Sequence, residues 1–401
     1  MTVPASIANL PARTPELAEL LIRWAEINSG SGHRAGLDRM LDALRAKFSR
    51  FPGAQLEDLP CPGTADALRI RLRPEARTQL LFSGHFDTVY EEADPFQACR
   101  WLDAERLNGP GVTDMKGGII TMLAALQAFE QTPHAGEIGW EVLLTPDEET
   151  GSHGSRAHFV AAAKRAHFAF VFEPTRPNGD IVHSRKGTGG LVARCHGRAG
   201  HAAKVPSDAR NAILALGEFL QAASGLPAEL SGVLVNVANI RGGGTATNVV
   251  PDFATAELDL RITKMSDRAL VTARLEQLAA AINAREGLKL ELDLRFNRPP
   301  KECLPLEEKL FPEWQRTARD VGVAPFSWVH TGGASDGNFL AEQGLPCFDG
   351  IGPIGDHLHS AREFIVIPTM ATRAQIVALF LHRVAAGEIA LRQLQNRPLA
   401  G

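Results

Sequence analysis

Three apolar stretches of this chain each run into a histidine or a carboxylate. Leu80-Leu81-Phe82-Ser83 leads to Gly84-His85-Phe86-Asp87-Thr88, Val142-Leu143-Leu144 to Asp147-Glu148-Glu149, and Phe170-Val171-Phe172 to Glu173-Pro174-Thr175. A fourth position, Asp114, lies in the tight run Gly109-Pro110-Gly111-Val112-Thr113-Asp114, ahead of Met115-Lys116-Gly117-Gly118 and a helical pattern. Taken singly, each also reads as a structural or surface residue. Their convergence carries the chemistry, because open α/β sheets collect ligands beyond the ends of their strands. Three carboxylates and an imidazole at one sheet edge repel or desolvate one another unless a cation sits among them. Mixed histidine and carboxylate donors suit zinc, with cobalt or manganese as substitutes, better than calcium or a thiol-preferring site.

The local spacing assigns further roles. Asp87, two residues after His85, is placed to accept the second ring N–H and fix the tautomer. Glu148 and Glu149 are neighbours on what reads as extended chain and so point to opposite sides, one toward a metal and the other toward a substrate.

The elements that must hold these residues follow from periodicity. Residues 15–28 and 35–50 carry apolar positions at helical spacing, and helices are also expected near 117–130 and 154–165. Apolar runs at 67–73, 79–83, 139–145 and 168–172 read as strands, which makes an α/β domain. From about residue 188 the order becomes strand 190–196, helix 209–223, strands 232–240 and 253–262, helix 266–285 and strand 288–296. That is the βαββαβ order of a ferredoxin-like module. It closes at Asn297-Arg298-Pro299-Pro300, a stiff exit from a strand, and patterns like those of the first domain resume after 305. The expected organisation is a first domain in two parts, 1–187 and 299–401, with 188–298 inserted between them.

Composition narrows the class. A chain of 401 residues suits two domains with sizeable cores, and 44% hydrophobic with 22% charged residues is ordinary for a folded globule. The net charge of −4 contains no long run of either sign, so no footprint for nucleic acid or anionic lipid is present. A small-molecule partner is expected. The five cysteines are odd in number and never form a Cys-x-x-Cys pair, so reduced thiols and a cytoplasmic setting are expected. No apolar run reaches the length of a membrane span and the start lacks a leader pattern. No fixed repeat or low-complexity tract is present.

The motifs GHFDTV, GPGVTDMKGG, TPDEETGS, FEPT and GPIGDHLHSAREF, in this order over about 80–390, resemble a dinuclear zinc family. Its members include acetylornithine deacetylase, succinyl-diaminopimelate desuccinylase, aminoacylase and glutamate carboxypeptidase, and the motifs here are most similar to the last. The resemblance implies a mixed central sheet flanked by helices, with the inserted module as lid and dimerisation domain of a homodimer. It supplies a fifth ligand, His359 rather than His357. It makes Asp114 a bridge between two zinc ions, with His85 and Glu173 on one and Glu149 and His359 on the other, and it implies a cis peptide after Asp114. Glu148 becomes the general base that takes a proton from the attacking water and returns it to the leaving amine, with no covalent intermediate. His201 matches a histidine that stabilises the developing oxyanion, from its own subunit or its partner. Asn248 and Arg261 match positions that hold a substrate carboxylate, a task suited to the arginine fork. The implied reaction is hydrolysis of an amide in a peptide or N-acyl amino acid beside a free carboxylate, with deacylation as the alternative.

Two other readings compete. Gly333-Ala334-Ser335-Asp336-Gly337 satisfies G-x-S-x-G, and Asp349 or Asp356 and then His357 or His359 follow in serine-hydrolase order. Barely two dozen residues separate Ser335 from His359, too few for the crossovers such a fold needs. A loop approaching the substrate, with Asp336 capping a helix, is the simpler expectation. A binding protein that has lost its catalysis is the second, and the complete set of ligands and base argues against it.

Overall fold

The computed structural model of the protein describes residues 2–204 and 208–391, so the last residues of the expected 299–401 segment lie outside the described residues. The chain forms two compact units. One draws on the chain up to Ser184, on Cys303–His330 and on the chain from Ser335 onward; the other comprises Arg185–Glu302 with Thr331–Ala334.

The first unit is built on a mixed eight-stranded sheet. Its strands run in the order Gln55–Leu59, Ala67–Leu72, Ile138–Thr145, Thr78–His85, Phe168–Val171, Cys347–Asp349, Ile181–Arg185, Trp328–Thr331. Thr78–His85 is central and parallel to both Ile138–Thr145 and Phe168–Val171. Period-two alternation sorts its side chains onto two buried faces. Leu80, Phe82, Val142, Leu144, Phe168 and Phe170 join one apolar cluster. Leu81, Leu143, Ala169 and Val171 join another with Phe159 and Phe339. Burying each of those phenylalanines contributes about 1.5–3 kcal/mol.

The helix Gly117–Phe129 is buried along nearly all its length and packs against Pro368–Ala385 on the first face. Its start at Gly117-Gly118 allows close approach: a Cβ at Gly118 would meet the Phe172 carbonyl oxygen at 2.2 Å. The helix thereby begins beside the strand exit that carries Glu173.

The second unit holds a four-stranded antiparallel sheet in the order Leu234–Gly242, Phe253–Ile262, Gly187–His196, Lys289–Arg298. Ala212–Ser224 and Met265–Asn283 are its two longer helices, and they close an apolar cluster of their own around Leu216, Phe219, Leu258 and Leu275. The order of the longer elements is βαββαβ. The first of these helices starts at Ala212, later than its apolar pattern suggests, because the Asn211 side chain caps it by accepting from the N–H groups of Ile213 and Leu214.

Periodicity did not resolve the first unit after residue 305. There the chain adds Cys347–Asp349 to the sheet and pairs the short strand Phe364–Val366 with Arg106–Asn108. Strands of three residues carry too little pattern to be read from sequence.

Candidate metal centre

The three parallel strands Thr78–His85, Ile138–Thr145 and Phe168–Val171 end at one edge of the sheet and deliver His85, the Glu148-Glu149 pair and Glu173. Asp114 arrives from the loop ahead of Gly117–Phe129, followed by a cis peptide to Met115. Gly111 turns that loop with φ +65°, and a Cβ there would meet Thr88 Cγ2 at 2.6 Å, so glycine is required. His359 arrives from a turn near the end of the unit, with φ +58°.

The five side chains converge. His85 Nε2 lies 3.2 Å from Asp114 Oδ1 and 3.8 Å from Glu173 Oε1. His359 Nε2 lies 3.2 Å from Asp114 Oδ2 and 3.3 Å from Glu149 Oε2. Ligand atoms of His85, Asp114 and Glu149 all fall within 4.8 Å of one another. His357 takes no part in this cluster: it is exposed and its ring packs against Phe364.

The donor chemistry fits a cation. His85 Nδ1 is 3.1 Å from the main-chain carbonyl of Asp87, and a carbonyl oxygen only accepts, so Nδ1 carries a hydrogen and Nε2 is the ring atom that faces two carboxylates. That contact is favourable only with positive charge between the atoms. Atoms bound tetrahedrally to one zinc ion at about 2.0–2.1 Å are about 3.4 Å apart, close to the separations around Asp114.

The electrostatics point the same way. Burial works against a charged His85, but hydrogen bonding to Asp114 and Asp87 outweighs it and raises its pKa well above the ordinary value. Hydrogen bonds to Asp114 and Glu149 lift His359 to about 11. Burial and the Asp114 charge push Glu149 up to about 7. Asp114 is held below the usual carboxylate range: burial opposes this, and the hydrogen bonds from His359 and His85 overcome it. The cluster draws in positive charge.

Asp87 is fully buried, and its role is wider than its spacing from His85 suggests. Oδ1 lies 3.3 Å from His85 Nδ1 and also accepts the Glu148 N–H at 3.1 Å, while Oδ2 accepts the Glu149 N–H at 3.1 Å and the Ser31 hydroxyl at 2.8 Å. Glu148-Glu149 is accordingly no extended segment. It forms the 3₁₀ turn Glu148–Thr150, with its N–H groups gathered on Asp87, so the alternation argument fails for this pair.

His201, Asn248 and Arg261 belong to the second unit. His201 is exposed on a two-residue strand beside Val249, and the Ala202 N–H donates to the Asn248 carbonyl at 2.9 Å, which brings those two segments together. Arg261 donates from Nε to Asp259 Oδ2 at 2.9 Å on its own strand.

The serine-hydrolase reading does not survive. Ser335 is fully buried and its hydroxyl donates to Asp349 at 2.8 Å, while His359 faces Asp114 and Glu149. Asp336 makes no side-chain cap to Gly337–Glu342. Its carboxylate accepts the hydroxyls of Thr145 and Ser152 instead.

Two residues at this centre escaped sequence reasoning. Glu363 and Tyr90 meet behind the Asp114 loop, their side chains 2.7 Å apart. The available signal was the place of Glu363 within the motif GPIGDHLHSAREF, four residues past His359 and at the mouth of an apolar strand.

Parallel strands thus deliver histidine and carboxylates to one cation-seeking cluster, which makes this a candidate metal centre. Residues 81–383 match the model of peptidase family M20/M25/M40, and the chain belongs to that family. It is 24% identical to carboxypeptidase G2 of Pseudomonas sp. (strain RS-16) over 93% of this chain and 90% of that protein. It is 28% identical to succinyl-diaminopimelate desuccinylase of Gluconobacter oxydans over 93% and 98%. Among solved structures, a dinuclear metal-binding peptidase of Bacillus subtilis superposes with a TM-score of 0.68 at 15% identity, covering 94% of this chain and 99% of that one. The protein is a metal-dependent hydrolase of amide bonds. No helix among the described residues is long and apolar enough to cross a membrane.

Proposed function

We propose that this hydrolase uses two zinc ions to cleave the amide of a peptide or N-acyl amino acid beside a free carboxylate. The observation that carries the reading is the bracketing of Asp114, whose two oxygens each face the Nε2 of a different histidine at 3.2 Å. His85, Asp114 and Glu173 would hold one ion, and Asp114, Glu149 and His359 the other. Once bound, the ions would polarise the scissile carbonyl and lower the pKa of a water toward neutrality. Glu148 stands outside that ligand set on the same turn as Glu149. It takes the proton of the attacking water and passes it to the leaving nitrogen. Asp87 holds the turn and the tautomer of His85.

From the second unit, His201 supplies a donor for the developing oxyanion, and Asn248 with Arg261 takes the substrate carboxylate. The histidine and carboxylate donors favour zinc and accept cobalt or manganese. The edge strand Leu234–Gly242 and the helix Ala212–Ser224 leave Leu234, Ile240 and Leu214 exposed, and we assign this surface to a homodimer. Five widely spaced cysteines with no Cys-x-x-Cys pair fit a reducing compartment, and we read the enzyme as cytoplasmic.

The test is a panel of peptides and N-acyl amino acids, each with its carboxylate free or amidated, assayed before and after chelation. We expect turnover to vanish with chelator, to return with about two zinc ions per chain, and to require the free carboxylate. Turnover indifferent to chelation overturns the metal reading. A preference for acetyl or succinyl substrates over peptides selects the deacylase branch, toward which the likeness to the desuccinylase points.

A further inference from the structure

We infer that Glu363 is a positioning residue for the bridging carboxylate, holding the Asp114 loop and the His359 turn in one frame. The inference rests on the reading that Asp114 joins two metal ions. Glu363 is 1% exposed. Its Oε1 accepts the main-chain N–H of Thr113 at 2.8 Å and of Asp114 at 3.1 Å. Its Oε2 accepts the N–H of Gly111 at 3.2 Å and the Tyr90 hydroxyl at 2.7 Å.

Three inward-facing N–H groups of one loop therefore share a single carboxylate. Buried N–H groups need an acceptor, and here Glu363 supplies it where strands and helices would use their own ladders. The main chain grips the same loop from the other side. The Glu363 carbonyl accepts from Gly109 N at 3.3 Å and from Asn108 Nδ2 at 2.6 Å, and Phe364 pairs with Asn108.

The grip extends to the other ligands. Tyr90 lies five residues past His85, and its hydroxyl is also 2.9 Å from the carbonyl of Ser360, the residue after His359. Glu363 and Tyr90 thus tie together the segments that carry His85, Asp114 and His359. The paired 3.2 Å separations around Asp114 hold only while those segments keep their places. Residues that orient ligands in this way set metal affinity as well as fold.

The experiment titrates metal-free wild type, Glu363→Gln and Glu363→Ala with zinc, counts retained ions by mass spectrometry, and records circular dichroism and steady-state kinetics. Glutamine keeps the shape and one acceptor for Thr113 and Asp114, but its amide nitrogen meets the Gly111 N–H and cannot accept it. We expect Glu363→Gln to fold as wild type, to bind one of the two ions about 10–100-fold more weakly, and to lose kcat while KM stays within about twofold. Glu363→Ala should lose that ion at zinc concentrations that fill the wild type; should the alanine variant fail to fold, the glutamine variant decides. Folded variants that bind two ions with wild-type affinity overturn the inference and leave the metal reading standing. A wild type that binds two ions and hydrolyses none of the panel overturns the proposed substrate class alone, and the variants' zinc affinities still decide the role of Glu363.

Discussion

Asp87 Oδ1 accepts the main-chain N–H of Glu148 at 3.1 Å, so the residue beside the histidine ligand also sets the position of the proposed base. Asp87→Asn leaves one acceptor oxygen where the carboxylate offers two, one to each N–H group of the turn. We expect kcat to fall about 10–100-fold with a smaller change in KM, measured by steady-state kinetics on the best substrate. An unchanged kcat would detach Asp87 from the placement of Glu148.

Glu148→Gln tests the base itself. Glutamine cannot take a proton, so turnover should fall by about 10²–10⁴-fold, while elemental analysis finds the metal content of the wild type. Near-normal turnover removes Glu148 from its role; loss of metal makes it a ligand instead.

Tyr90 is the chain's one tyrosine and reports on the loop behind the metal centre. Burial, and then the neighbouring Glu363 charge, push its phenol above the ordinary range. An unfolded tyrosine ionises near pH ~10, so unfolding above that pH releases a proton that the folded protein retains, and stability falls as pH rises. In an ultraviolet titration the phenolate band should appear together with unfolding. A smooth titration near pH ~10 in the folded protein would contradict this.

His382 gives the opposite pH dependence. It is buried on the Pro368–Ala385 helix with its ring 5.9 Å from that of His134, and burial, then the His134 charge, lower its pKa. The unfolded chain protonates this residue near pH ~6.5 while the folded one resists. The stability contributed by neutral His382 is present above that pH and is lost as pH falls below it. Melting temperatures of wild type and His382→Gln from about pH 7 to about pH 5 should show a shallower decline in the variant; parallel curves would exclude the contribution.

The parts of the centre legible in sequence are those whose signal is local. A run of apolar residues ending in His85 or Glu173 shows both a strand and what the strand presents. His359 meets Asp114 across 245 residues and carries no periodic signal of its own, so only the motif resemblance placed it. The role of Glu363 was invisible for the same reason, because its partners are backbone groups of a loop some 250 residues earlier in the chain. The 3₁₀ turn at Glu148-Glu149 depends on the distant Asp87, and the local alternation rule could not foresee it. Ser335 shows the converse: its flanking glycines imitate a nucleophile motif, and only its burial against Asp349 shows that the hydroxyl is structural.

The pairing of Thr78–His85 with Ile138–Thr145 sets His85 opposite Thr145, and it acts as a length standard for the chemistry. A slip of one residue in this ladder would exchange the two faces of the strand. The imidazole would then be turned away from Asp114 while every residue of the motif stayed intact. Sheet misregistration would therefore yield a compact, inactive protein carrying the full set of ligand residues, so motif matching alone cannot vouch for a variant of this enzyme.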